Sequence, residues 1–301
     1  MVRAHLAALL GALLLGAGCE GAAEPGGAEP AASSPTAAPS ASPPQARLVR
    51  VLALGDMGTG TRFQRAVALQ MCAHHDAEPV DAVLTTGDNV YPSGEPELFD
   101  ERFVEPYSCL LDDGVEFHAS LGNHDVVTDR GRAMSAHPAF GMSGRYYRVR
   151  LGPLEVVVLD SNDLDAAQLA WLGRALRRAR DAPWTVVVFH HPVYSHGLRH
   201  GSTPGFADLL GARFSRAGVD LVLNGHEHLY ERVRAQGVTY VVTGGGGAQL
   251  DLCRRPLPAR VRACLTALHF VELEATRSRL VLRALNHQGE LLDRARVRRN
   301  P

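Results

Sequence analysis

The chain has 301 residues, with 31 Lys and Arg against 32 Asp and Glu, a formal charge of −1. That balance excludes a general electrostatic attraction to nucleic acid, and the arginines around 174–180 and 294–299 read as solvated faces rather than phosphate tracks. The length left after the N-terminal region suits one large α/β domain.

Taken in chain order, residues 1–18 read as a secretory signal. Arg3 supplies positive charge and Leu6 to Leu15 an apolar core, too short for a membrane-spanning helix of ~20 apolar residues. Cys19 follows Leu15-Gly16-Ala17-Gly18. Small residues before a cysteine resemble a bacterial lipobox, in which the cysteine is acylated, although Gly16 stands where leucine is usual. The expectation is an exported protein held in the cell envelope by a lipid at Cys19, or otherwise periplasmic or secreted. Residues 19–46 are almost entirely Ala, Pro, Gly, Ser and Glu. With no large apolar residue they cannot offset the entropy of ordering, and they read as a flexible tether.

Residues 47–301 form the expected folded domain. Leu48–Leu54 is a β-rich apolar run ending at Gly55-Asp56, and Thr61–His74 has helical spacing with Phe63, Val67 and Met71 on one side. Further strands are predicted over Asp81–Thr86, ending at Gly87-Asp88, and over Val115–Leu121, ending at Gly122-Asn123. Val156–Leu159 and Trp184–Phe189 are near-continuous apolar runs, read as strands buried on both faces. A helix over Asp165–Ala179 lies between them, with Trp171 packing in the core. Val219–Leu223 and Val238–Val242 are strands, and 269–298 reads as strands with turns near Arg277 and Gly289. Cys72, Cys109, Cys253 and Cys264 lack the C-x-x-C spacing of a zinc site and, in an exported chain, predict disulfides. Three pairings are open; Cys253 with Cys264 is the most local, and Cys72 with Cys109 would follow.

Polar clusters fall just after the strands. They are Gly55-Asp56-Met57-Gly58, Gly87-Asp88-Asn89-Val90-Tyr91, Gly122-Asn123-His124-Asp125, Val187-Val188-Phe189-His190 and Gly225-His226-Glu227-His228. Ligand sites in open α/β sheets form outside strand C-termini, so the five should converge on one crevice. Two metal ions a few ångströms apart can bind a phosphate, activate water and stabilise a leaving oxygen. Carboxylate, amide and imidazole donors suit such ions, and the glycines permit close backbone approach.

In this order the clusters resemble the calcineurin-like metallophosphoesterase superfamily, over roughly residues 51–247. The resemblance implies a four-layer α/β/β/α sandwich with two mixed β-sheets. It implies that Asp88 bridges two metals, the first also held by Asp56, Tyr91 and His228, the second by Asn123, His190 and His226. His190 is preferred to His191 because the family places proline two residues after the ligand, and Pro192 fits. Many members carry a histidine where Gly58 stands; here Gly-Asp-x-x-Tyr supplies Tyr91 instead. With Gly225-His226-Glu227-His228-Leu229-Tyr230-Glu231-Arg232 this is similar to the purple acid phosphatases. A phenolate favours Fe3+ in the Tyr91 site, with Fe2+, Zn2+ or Mn2+ in the other. His124, oriented by Asp125, is the expected acid–base group, and His200 resembles a phosphate-contacting histidine, with His196 its competitor.

The expected reaction is therefore hydrolysis of a small phosphate ester, most simply as an acid phosphomonoesterase. A phosphodiesterase or nucleotidase on the same metal centre is the alternative, as is a non-catalytic surface lipoprotein keeping the fold. The membrane enters only through a lipid on Cys19, and no nucleic-acid partner is expected. Gly55, Gly58 and Gly60 run G-x-x-G-x-G, not the dinucleotide fingerprint. Gly244–Gly247 lacks the Lys-Ser/Thr of a P-loop and is read as letting the backbone pass the crevice. Ser195 lacks the surroundings of a nucleophile elbow.

Overall fold

In a computed structural model, which describes residues 48–300, strand β1 (Val49–Leu54) divides its side chains between two layers. Val49, Val51 and Ala53 join a core with Val156, Val158, Val186, Val188, Leu221 and Leu223. Leu52 and Leu54 face the other way, onto Val67 and Met71 of helix α1 (Arg62–Ala77). This is the period-two alternation of a strand covered on both sides.

The remaining elements follow from it. The first half adds β2 (Ala82–Thr85), α2 (Ser108–Asp112), β3 (Glu116–Ala119) and α3 (Arg132–Ala136). The second half runs β4 (Tyr147–Leu151), β5 (Leu154–Val158), α4 (Ala166–Ala179), β6 (Trp184–Val188), α5 (Ala212–Ala217), β7 (Leu221–Asn224), β8 (Tyr230–Ala235) and β9 (Val238–Thr243). It closes with β10 (Val261–Leu265), β11 (His269–Ala275), β12 (Leu280–Asn286) and β13 (Leu291–Val297).

Among the described residues the strands form two sheets, ordered β13-β12-β11-β1-β2-β3 and β10-β8-β9-β7-β6-β5-β4. Both are mixed. β1, β2 and β3 are parallel, as are β5, β6, β7 and β9, while β11 to β13, β4, β8 and β10 pair antiparallel. One apolar core lies between the sheets. A second lies under α1 and α2, and a third under α4 and α5 around Leu172, Val187 and Phe214. Helices on both outer faces of two packed sheets make the expected four-layer sandwich.

Three details depart from the sequence reading. Phe63 is 43% exposed, and the buried side of α1 is Gln64, Val67, Ala68 and Met71. Gln64 can be buried because its amide donates to Arg102 O at 2.6 Å and accepts from Gly60 N at 2.8 Å. Trp171 is half-buried against Tyr146, with ring centroids 4.9 Å apart, and covers the third core rather than filling it. Finally β4, β8 and β10, where charged and apolar residues mix, escape the sequence pattern.

The cysteines pair Cys72–Cys109 and Cys253–Cys264, with Cα atoms 6.0 and 6.1 Å apart. The first ties α1 to α2. No helix among the described residues is long and apolar enough to cross a membrane. The signal segment, Cys19 and the tether expected over 1–46 lie outside the described residues.

Under α1, Glu272 is fully buried and takes hydrogen bonds from Arg283 and from His74, the latter at 3.1 Å. Burial alone would raise its pKa, but those bonds and the Arg283 charge hold it below the ordinary value. Arg50 and Arg283 also reach Glu78 at 3.0 and 3.3 Å, which fills this acidic group with guanidinium rather than a metal ion. A carboxylate with a depressed folded pKa stabilises above its unfolded value of ~4.3 and loses that contribution as pH falls through the folded one. Glu272→Gln is therefore expected to cost about 2 kcal/mol at pH 7, leaving Arg283 short of a partner at a partly solvated site. The gap from wild type, read by denaturant titration, should close near pH 3; a gap independent of pH would refute the assignment.

Candidate metal centre

The loops after β1, β2 and β3 of one sheet and after β6 and β7 of the other end in the five polar clusters, and the fold brings them together. Asp56, Asp88 and His226 all adopt positive φ, at 56°, 53° and 71°. Non-glycine residues take this conformation at a cost of order 1–3 kcal/mol each, and such strain collects at functional sites. It turns three side chains off their strand directions and into the crevice.

Asp88 lies at the middle. Its Oδ2 is 3.0 Å from the Tyr91 hydroxyl, which donates to it, and 3.5 Å from His190 Nε2. Its Oδ1 accepts from His124 N at 2.9 Å. On one side, His228 Nε2 lies 3.4 Å from Asp56 Oδ1 and 3.3 Å from the Tyr91 hydroxyl. On the other, His190 Nε2 lies 3.0 Å from Asn123 Oδ1 and 3.2 Å from His226 Nδ1. The seven residues picked out by the sequence as metal donors thus form two groups sharing Asp88. Close approach needs glycine: a Cβ on Gly122 would sit 2.1 Å from Asp88 Oδ1, and one on Gly244 2.6 Å from Asp56 Oδ2.

The donor chemistry fits cations. His190 Nδ1–H donates to Thr86 O at 2.9 Å, and His228 Nδ1–H to Gln249 O at 2.7 Å. Each bond occupies Nδ1 and aims Nε2 inward, the arrangement expected of a ligand histidine. His190 Nε2 then faces Asn123 Oδ1 and Asp88 Oδ2, so acceptor lone pairs gather at one point, an arrangement that suits a positive ion.

The protein's own charges support this. Burial, with His190 and His191 adjacent, lowers His226 to about 2, and burial holds His190 well down, so both imidazoles stay neutral. Burial and the neighbouring Asp88 charge raise Asp56 to about 6, against the pull of His228. Burial would lower His228, but its hydrogen bond to Asp56 and that charge win and raise it to about 9. Burial, then Asp56 and Asp88, push the Tyr91 phenol well above its ordinary value. Only a strongly charged cation would make it a phenolate.

The expected catalytic residues divide. His124 is at the rim, its Nδ1–H donating to Pro92 O at 2.6 Å and its Nε2 4.0 Å from Asp88 Oδ2. Asp125 does not orient it. Its buried carboxylate accepts from Asn89 N and Gly122 N at 2.8 Å, from Val90 N at 3.1 Å and from Asn89 Nδ2 at 2.8 Å. It ties the β2 and β3 loops together, because backbone N–H groups of both loops donate to it and His124 does not. His200 lines the cleft, its ring stacked on His226 at 4.1 Å. His196 is elsewhere, bonded to Glu231 Oε1 at 2.7 Å. His191 is held by Ser161 Oγ at 2.8 Å, and Ser195 donates to Glu231 Oε2 at 3.0 Å, which leaves it no nucleophile's role.

Four contributors escaped the sequence reading. Glu227 is buried and accepts from the backbone of His200 and Gly201, fixing that loop. Arg199 lines the cleft of about 380 Å³ beside His124 and His200. Thr86 and Gln249 act through carbonyls, which side-chain identity cannot reveal. Adjacency to motif histidines was the one signal available for Glu227 and Arg199.

The profile of calcineurin-like phosphoesterases matches residues 49–230. Among curated proteins, the chain is 26% identical over 232 residues to purple acid phosphatase 3 of Arabidopsis thaliana, covering 66% of this chain and 63% of that one. It is 29% identical over 202 residues to tartrate-resistant acid phosphatase type 5 of Oryctolagus cuniculus, covering 54% and 60%. In both cases the chain spans less than two thirds of the relative. Among solved structures, purple acid phosphatase PPD1 from yellow lupin superposes with TM-score 0.64 at 20% identity, over 84% of this chain and 54% of that one. GAP50 of Plasmodium superposes with TM-score 0.73 at 17% identity, over 84% and 90%.

If the seven residues hold two ions, Asp88→Ala should lose both, while Asn123→Ala should lose the His190-side ion and keep the other. Gly122→Ala, which alters no donor, should also lose metal because its Cβ displaces Asp88. Elemental analysis of the purified variants checks this. An Asp88→Ala protein with the metal content of wild type would show that the ions, if any, bind elsewhere.

Proposed function

The chain belongs to the calcineurin-like phosphoesterase family, and from that premise we propose that it is an exported acid phosphomonoesterase with Fe3+ in the Tyr91 site and Fe2+, Zn2+ or Mn2+ in the other. The observation that carries the iron reading is the Tyr91 hydroxyl, which lies 3.0 Å from Asp88 Oδ2, 3.4 Å from Asp56 Oδ1 and 3.3 Å from His228 Nε2. It would supply the donor that Gly58 cannot.

Asp56, Asp88, Tyr91 and His228 would hold one ion, and Asp88, Asn123, His190 and His226 the other. Such a pair supplies polarisation of the phosphoryl oxygens and a water acidic enough to attack phosphorus. The chain's own residues do the rest. The Pro92 carbonyl holds His124 Nδ1–H, so Nε2 faces the cleft and can deliver a proton to the leaving alkoxide oxygen. His200, exposed to the cleft and packed on His226, offers a contact to the phosphoryl group. Asp125 and Glu227 fix the loops that carry both histidines. The two disulfides favour an oxidising compartment, in keeping with export. A lipid on Cys19 would put the protein with membranes, and Cys19→Ser should release it or block its processing.

Purified protein should contain iron and absorb visible light by phenolate-to-iron charge transfer, and Tyr91→Phe should bleach it. Full activity with zinc or manganese in both sites would defeat the iron assignment while leaving phosphoester hydrolysis standing. Comparing mono- and bis-aryl phosphates, with and without chelator, separates a monoesterase from a diesterase and from a non-catalytic protein.

His124→Ala should keep its metals and lose ~10²–10⁴-fold in kcat on an alkyl phosphate, the usual size of general acid catalysis. The loss should shrink on nitrophenyl phosphate, whose leaving group needs little protonation. An equal loss on both substrates would remove the acid role and leave His124 as a positioning residue.

A further inference from the structure

At the opposite end of the sandwich from the metal centre, the structure gathers arginines from three separate segments. Arg234 comes from β8, Arg262 from β10, and Arg294 and Arg296 from β13, with Arg298 continuing the alternation just past it. They line one cleft of about 990 Å³ between the edges of the two sheets. Trp184, at the start of β6, forms part of its wall, whereas His190 follows the other end of the same strand. The steps along the chain from Trp184 to His190 span roughly 20 Å of extended backbone, and the two sites share no lining residue.

The cleft's charge is not neutralised from within. Asp293 is spent on Arg232, at 2.6 and 3.1 Å, and on the Tyr230 hydroxyl at 2.7 Å. Arg299 is held by Arg277 O and lies over the Trp184 ring at 5.0 Å. Among the described residues no carboxylate lies within 4.0 Å of the guanidinium of Arg234, Arg262, Arg294, Arg296 or Arg298. Arg234 is half-buried beside this group, and burial, then the charges of Arg298 and Arg262, lower its pKa. Arg262, Arg294, Arg296 and Arg298 are exposed to solvent, which screens their repulsion, but five like charges around one concave surface still attract an anion, and the chain's near-zero net charge makes the concentration local.

We propose that this cleft binds a small anion bearing two or more linked phosphate groups. Guanidinium forks match phosphate oxygens bidentately, and one phosphate could engage only part of the set. Side chains two apart on a strand are separated by ~7 Å, so Arg294, Arg296 and Arg298 present a row of forks to successive phosphates. A nucleic-acid strand fits less well: the cleft's aromatic residue, Trp184, is 2% exposed and gives its indole N–H to Thr276 O. It offers bases no stacking platform, on which sequence-tolerant strand binding depends.

The test is calorimetric titration of the metal-loaded full chain with tripolyphosphate, in excess orthophosphate so that the metal centre is already engaged by a single phosphate. Wild type should bind. The double variant Arg296→Gln/Arg298→Gln should bind at least tenfold more weakly with a shallower salt dependence, and Arg262→Gln, on a different strand, should weaken it independently. Hydrolysis of nitrophenyl phosphate by both variants should match wild type, which shows that they are folded and that this proposal and the metal-centre reading fail separately. No binding by wild type, or equal binding by all three proteins, would overturn the site. Displacement by orthophosphate at concentrations equal to those of tripolyphosphate would overturn the multi-phosphate assignment, and tighter binding of oligothymidylate at matched charge would overturn the small-anion one.

Discussion

A single buried carboxylate, Asp88, sets the terms for everything at the strand tips. It is 2% exposed, sits in a left-handed backbone conformation, and has Tyr91, His190 and the amide of His124 around it. A buried anion is costly unless positive charge or donors meet it. The local structure answers with both. Gly122 removes the Cβ that would collide with it, the β3 loop turns an N–H toward it, and two groups of candidate donors open on either side. Asp125 then clamps the β2 and β3 loops so that this geometry holds.

The same logic sorts the histidines. Those whose Nδ1–H is taken by a carbonyl, His190 and His228, direct Nε2 into the crevice. His124 uses the same device with Pro92 but stands at the rim, its Nε2 4.0 Å from Asp88 Oδ2. His196, which looks equivalent to His200 in the sequence, is consumed by Glu231. Identity of the residue matters less than which of its two nitrogens the backbone occupies.

Much of this was legible in the sequence because each candidate donor lies in the short loop just past an apolar run, Tyr91 and His228 a few residues further along than the rest. Strand, glycine and polar residue form a local pattern, and parallel strands carry such patterns to one edge. Asp125 was misread because sequence neighbours in a tight turn point apart: it is adjacent to His124 yet faces Asn89, Val90 and Gly122. Gln64 entered the buried stripe of α1 in place of Phe63 because its partners, Arg102 O and Gly60 N, lie outside the helix and leave no periodic trace. The arginine cleft was hidden for a third reason. Arg234, Arg262 and Arg296 are far apart in the chain, and reading 294–299 alone gives a solvated face; the antiparallel return of β8, β10 and β13 makes the concavity.

The partition of candidate donors between the sheets has a mechanical corollary. Asp56, Asp88 and Asn123 follow strands of one sheet, while His190 and His226 follow strands of the other. Neither sheet alone carries all the candidate donors. The apolar core between the sheets therefore acts as the spacer of the crevice, and any sliding of one sheet over the other would pull the two groups of side chains out of register.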